Sequence, residues 1–187
     1  VLPAFLYMLV FVGYPIVKNI VLSLQDVTVR TLTASDKPFV GLKNYIEIFT
    51  SARFGNALRN TIILTVFISV LENAFALTLA LAVDNVKWGK NFFRSAFYIP
   101  VLISGIVSGF IWKIMYNYNF GALNSLLKGI GLGDFCKDWL GTPAYALIMV
   151  GVVLVWKGAG YYMIIYLASL QSISTDIIEA AKIDGAS

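Results

Sequence analysis

Four apolar runs, each long enough to cross a hydrocarbon layer, leave this chain few ways to fold. A bilayer core of about 30 Å takes about 20 helical residues, and the runs at about 2–24, 57–83, 96–116 and 144–170 all reach that length with few charges. Lipid offers no partner to backbone N–H and C=O groups, so such runs fold as helices. The expected fold class is all-α, a polytopic transmembrane helix bundle. Composition agrees: 59% of residues are hydrophobic and 13% charged, against about 45–50% and about 25% in soluble domains. With a mean hydropathy of +0.80, a chain of 187 residues has more apolar surface than its own core can enclose, and lipid must cover the excess.

The first run is apolar up to Val17, with Lys18 able to snorkel to an interface and Pro15 placed to kink the helix. It lacks a basic flank and a small-residue cleavage site, which favours an uncleaved span over a signal peptide. A polar stretch follows, holding Asp26, Arg30, Asp36, Lys37, Lys43 and Glu47. The short connection 84–95 carries Lys87, Lys90 and Arg94 against Asp84 and is the densest basic loop, so the positive-inside rule assigns it to the cytoplasm. Parity then puts the glycine-marked connection 117–141 outside and the residues after 170 inside. The chain reads as a single domain over 1–187, expected to be a fragment cut at both ends because it starts without Met and stops in mid-motif.

Several chemistries are excluded at once. There is no histidine, and the one cysteine, Cys136, has no partner for a disulfide or a zinc site. The net charge of +4 comes from scattered Lys and Arg without a basic block, which does not suit nucleic acid. Gly129, Gly131 and Gly133 lack the preceding strand and the Gly-Lys-Ser/Thr of a phosphate loop. No constellation of nucleophile, base and acid supports an enzyme, and no metal site is expected.

Polar residues inside the spans are the remaining candidates. Glu72 and Asn73 sit near the middle of the second span, where an ionised acid facing lipid costs a few kcal/mol; they read either as pathway residues or as a helix-to-helix hydrogen bond. Gly105 and Gly109 form a GxxxG beside Ser104 and Ser108, a helix-packing signal. Near the middle of the fourth span lies Trp156-Lys157-Gly158-Ala159-Gly160-Tyr161-Tyr162. This reads either as a loosened helix beside a polar solute site, with aromatic rings able to stack on sugar faces, or as a tight helix crossing with Lys157 snorkelling. After that span, Ser174 or Asp176 can cap a short helix, Asp176 and Glu179 have capping-box spacing, and Gly185 can end it. Such a helix reads as a docking element or as an ordinary amphipathic surface helix.

The segment Glu179-Ala180-Ala181-Lys182-Ile183-Asp184-Gly185-Ala186 resembles the EAA loop of binding-protein-dependent ABC importer permeases, in the form of the sugar-uptake subfamily. Gly41-Leu42-Lys43-Asn44-Tyr45, Ala57-Leu58-Arg59-Asn60-Thr61, Phe92-Phe93-Arg94 with Pro100, Gly121-Ala122-Leu123-Asn124 and Leu167-Ala168-Ser169-Leu170-Gln171 resemble that family's recurring segments in its order. Ser174 departs from it, standing where the family often has proline. The resemblance implies a six-helix core of which this chain holds four spans, in the cytoplasmic membrane of a bacterium or archaeon, with the EAA loop cytoplasmic. Glu179, Ala180, Ala181, Asp184 and Gly185 would couple to an ATPase. Gly158 and Tyr161, with Lys157 as a weaker candidate, would line a substrate pathway on a broken fourth span; Glu72 and Asn73 join them as pathway candidates through their place in the second span. Implied partners are a second permease in a heterodimer, two ATPase subunits carrying ATP and Mg, and an extracytoplasmic binding protein. The cargo would be a sugar, oligosaccharide, polyol or glycerophosphodiester. The chain itself would need no cofactor and perform no chemistry. The competing reading is a secondary transporter or channel with Glu72 as its coupling residue.

Overall fold

A computed structural model describes residues 2–27 and 37–185. Arg30 and Asp36 of the first polar stretch, and Ala186 of the EAA-like segment, lie outside the described residues. Among the described residues the structure is helical apart from turns and one isolated antiparallel bridge between Gln25 and Phe39. Two compact units divide at Arg59 and Asn60.

In the first unit, α1 (Leu2–Ser23) has the length and apolarity of a span. Pro15 cannot donate to the helical ladder. Just before it the helix widens into a π turn over Leu9–Gly13, closed by the Tyr14 N–H on the Leu9 carbonyl. The end of α1 is held by α2 (Lys43–Thr50). Asn44 Nδ2 donates to the carbonyls of Ser23 at 2.8 Å and Gln25 at 2.9 Å, and Tyr45 shares a 2.6 Å hydrogen bond with Ser23. The chain reaches these positions through Gly41 at φ 58, a conformation that favours glycine. The family-like segment Gly41–Tyr45 is therefore a clamp on the carbonyls that the end of a helix leaves free. The long helix α3 (Ala52–Asp84) starts in this unit and continues into the second.

The second unit contains most of α3, then α4 (Lys90–Leu102), α5 (Gly105–Met115), α6 (Ala122–Gly129), α7 (Pro143–Gln171) and α8 (Thr175–Ile183). Its core is a seam between α3 and α7, where Ala76, Ala80 and Val83 meet Met163 and Leu167. Among the described residues the backbone that comes closest to α7 is that of α4, while α3 meets α7 through side chains. Earlier along both helices a Cβ on Gly151 would lie 2.7 Å from the Phe67 ring, and Gly158 abuts Glu72. These contacts advance in the same direction on both helices, so α3 and α7 run parallel. Their ends also meet: Asp84 is bonded by Lys90 at 2.7 Å and by Gln171.

A parallel pair requires the chain between to return across, and α4 with α5 makes that return. The expected uninterrupted helix over about 96–116 is instead two helices bent by 96°. Pro100 removes a donor from the last turn of α4, and Ile103 and Ser104 are extended at ψ 132 and 151. Ser104 Oγ then caps α5 by accepting the Val107 N–H at 3.3 Å. Conversely, α7 is continuous through Trp156–Tyr162, so the break expected in the fourth span lies in the third.

The connection after α5 is organised by Asn124, 2% exposed. Its Nδ2 donates to the carbonyls of Tyr118 and Lys137, each at 3.1 Å, and its Oδ1 accepts the Trp139 indole N–H at 2.8 Å. The Asn124 carbonyl also accepts from Cys136 Sγ at 3.5 Å. Asn124→Ala leaves two carbonyls and an indole N–H unsatisfied and should cost about 1–3 kcal/mol. Maleimide labelling of Cys136 reads this directly and is expected to quicken by about tenfold as the loop opens locally.

Candidate functional site

The polar residues of the spans converge around α7. Lys157 does not reach for an interface: its Nζ donates to the Ile103 carbonyl at 2.5 Å. The last carbonyls of α4 have no intrahelical partner and carry the negative end of the helix dipole. An ammonium group there satisfies one carbonyl and offsets that partial charge. The gap in the third span is thus closed from the fourth.

Two cavities open on either side of Lys157. One, of about 430 Å³, is lined by Ile68, Glu72, Val101, Lys157, Gly158 and Tyr161, with Leu154 and Tyr162 completing the wall. The other, of about 270 Å³, involves Gly105, Ser108, Gly109, Trp112 and Lys113 from α5 and Lys157 from α7. Ser108 Oγ and Trp112 Nε1, both on its wall, are buried and have no hydrogen-bond partner among the described residues. The ring of Trp112 meets Trp156 edge-on at 5.4 Å.

The glycines of α7 are where other groups come close. A Cβ on Gly158 would collide with Glu72 Oε1, and one on Gly160 would collide with the Phe97 carbonyl oxygen. Gly160 thus admits the backbone of α4, and Gly158 admits the carboxyl of α3. Glu72, Lys157, Gly158 and Tyr161, proposed from sequence for one pathway, do line one cavity. Asn73 is engaged elsewhere: its Nδ2 donates to the Ser69 carbonyl at 2.6 Å and its Oδ1 accepts from Tyr166 at 2.6 Å, tying α3 to α7. Gly105 and Gly109, expected at a packing face, have no atom within 4 Å of where a Cβ would stand; among the described residues that face is open.

Beyond α7, the turn at Ser172 leads into α8. Asp176, Glu179 and Ala180 are exposed on it, and Ile177 and Ile183 are 63% and 86% exposed. The Asp184 N–H bonds the Ala180 carbonyl at 3.0 Å, and Gly185, at φ 86, turns the chain out of the helix. The short helix ended by Gly185 is thus present, with Asp176, Ile177, Glu179, Ala180 and Ile183 exposed on it.

Sequence reasoning missed Asn44, Asn124 and the bond from Lys157 to Ile103. Pro100 followed by a Ser-Gly start was a readable sign of the broken span; the partners of both asparagines were not readable.

Residues 72–187 match the family described as binding-protein-dependent transport system inner membrane component. The chain is 37% identical over 187 residues to the probable ABC transporter permease protein YurN of Bacillus subtilis (strain 168), covering 98% of this chain and 62% of that protein. It is 35% identical to the trehalose/maltose transport system permease protein MalF of Thermococcus litoralis, covering 100% of this chain and again 62% of the relative. The fold matches a bacterial ABC transporter involved in the import of the acidic polysaccharide alginate, at TM-score 0.82 and 25% identity, over 100% of this chain and 61% of that one. The chain therefore spans less than two thirds of the length of these proteins. The matched region contains both the cavity walls on α7 and the exposed helix α8, and on that match the chain belongs to the family of binding-protein-dependent transport system inner membrane components.

Proposed function

We propose that the protein is the membrane-spanning subunit of an ATP-driven importer for a carbohydrate, handed over by an extracytoplasmic binding protein. The reading extends to a second permease, two cytoplasmic ATPase subunits holding ATP and Mg, and a cytoplasmic position for α8. The observation that carries it is the exposure of Asp176, Ile177, Glu179, Ala180 and Ile183 on α8, directly after α7 and within the region of family similarity. A short helix with free acids and apolar side chains, ended by a glycine turn, suits docking into a groove on a partner. In this reading Glu179, Ala180, Ala181, Asp184 and Gly185 form the docking surface. Movement of α8 is passed along α7 to the wall holding Lys157, Gly158 and Tyr161. No step of bond making or breaking falls to this chain. Family membership favours this reading over a secondary transporter coupled through Glu72.

The test is co-purification of the full-length protein from detergent-solubilised membranes, with the bound chains identified by mass spectrometry. Recovery of an ATPase and a second permease is the expected result. Glu179→Arg reverses a charge on the docking surface, and like-charge contact at an interface costs enough to cut ATPase recovery by about tenfold or more. Insertion of the variant into the membrane should be unchanged, because Glu179 is exposed. A protein recovered alone, identical in both forms, would sink the proposal.

A further inference from the structure

The cavity of about 430 Å³ contains one cation and one anion, Lys157 and Glu72, and they are not equivalent. The ammonium of Lys157 is committed to the Ile103 carbonyl at the end of α4, where the helix end contributes about half a negative charge. Much of its field is therefore cancelled where it sits. Glu72 lies against the Cα of Gly158, and among the described residues its carboxyl forms no ion pair or hydrogen bond. The charge left to face a solute is that of Glu72. Around it, Tyr161 is 50% and Tyr162 38% exposed, their rings packed edge to face at 5.4 Å. An aromatic face beside a free carboxylate suits a ring with an apolar face and several hydroxyl donors. It disfavours a ring bearing its own carboxylate, because two like charges in a partly dry cavity repel far more strongly than in water.

We propose that Glu72 is a specificity residue that makes this cavity select neutral, hydroxyl-rich carbohydrates and reject carboxylate-bearing ones. The inference rests on the importer reading and adds to it a class of cargo and the residue that sets it. Sugar hydroxyls donate to the Glu72 carboxylate, the Tyr161 ring covers the sugar face, and Gly158 leaves the carboxylate room to stand at the wall.

The experiment measures equilibrium binding to the full-length permease, purified with its co-purifying subunits. The neutral probes are maltose, lactose, trehalose and diacetylchitobiose; the acidic ones are digalacturonate and a mannuronate disaccharide. The expected result is that at least one neutral probe binds tighter than both uronates by about tenfold or more, as like-charge juxtaposition implies. Glu72→Gln should weaken the neutral sugar and narrow the ratio to within about threefold, as the repulsion disappears. Glu72→Asp should keep the discrimination, which separates charge from packing should the amide variant fold poorly. Tyr161→Ala should weaken both classes alike and leave their ratio unchanged. Uronates binding as well as neutral sugars, or an unchanged ratio in Glu72→Gln, would overturn the role of Glu72 and leave the importer reading standing. Binding of none of the carbohydrates, with no ATPase recovered, would overturn both.

Discussion

Gly160→Ala is expected to lower the melting temperature of the folded protein sharply, whereas Gly129→Ala in the same unit should leave it unchanged or slightly raised. The two substitutions are chemically identical, and both add a methyl group to a helical glycine. In a free helix that change is favourable by about 0.5–1 kcal/mol. Gly129 has nothing within 4 Å of its would-be Cβ, so it should show that gain or no change. At Gly160 the methyl would overlap the Phe97 carbonyl oxygen and stand 2.9 Å from the Phe97 carbonyl carbon and 3.1 Å from Tyr98 Cα. Those are backbone atoms of α4, which have no rotamer to escape into. Overpacking typically costs about 1–3 kcal/mol, and a rigid neighbour puts Gly160 at or above the upper end. The apparent melting temperature of the full-length protein in detergent should fall by on the order of 5–10 °C. Gly151→Ala offers an intermediate case, since its Cβ meets the edge of the Phe67 ring at 2.7 Å, and a ring can turn. An undisturbed Gly160→Ala would mean that α4 and α7 do not cross at this point.

Why the glycines were ambiguous before the structure follows from the same geometry. A glycine in an apolar run can loosen a helix or admit a neighbour, and its own sequence is the same in either case. What decides is the atom opposite, and for Gly160 that atom belongs to Phe97, far away in sequence. The runs that became α1, α3 and α7 were legible because length and hydropathy are local properties. The bend between α4 and α5 was written in Pro100 and Ser104, yet an uninterrupted apolar run over the same residues argued for continuity. Asn44 and Asn124 were illegible as structural hubs, since each serves backbone carbonyls that any residue could supply. Of the cavity, Glu72, Gly158 and Tyr161 could be proposed from residue type alone. That Lys157 would face a carbonyl at a helix break instead of an interface could not, because the break itself was hidden.

That lysine yields the second large effect, and its two consequences pull in different directions. Lys157→Met removes the donor that satisfies the Ile103 carbonyl at 2.5 Å, and an unsatisfied carbonyl inside a membrane protein costs about 1–3 kcal/mol. The same substitution removes an ammonium from the membrane interior, worth about 2.5–3.5 kcal/mol on insertion scales. The two terms nearly cancel, so the melting temperature should change little. The geometry of the break has no such compensation. Without Lys157, the carbonyls at the end of α4 lose their only side-chain donor among the described residues, and the 96° bend loses its tie to α7. Both cavities flanking Lys157 share that tie as a wall. On the proposed importer reading, carbohydrate uptake by the full-length assembly should fall by about tenfold or more, the loss expected when positioning fails while folding persists. Lys157→Arg keeps a donor and a charge at similar reach and should recover part of it. The direct readout is the distance distribution between spin labels on α4 and α5, which should broaden in Lys157→Met and narrow again in Lys157→Arg. A sharp, unchanged distribution in the methionine variant would show that Pro100 and Ser104 hold the bend by themselves.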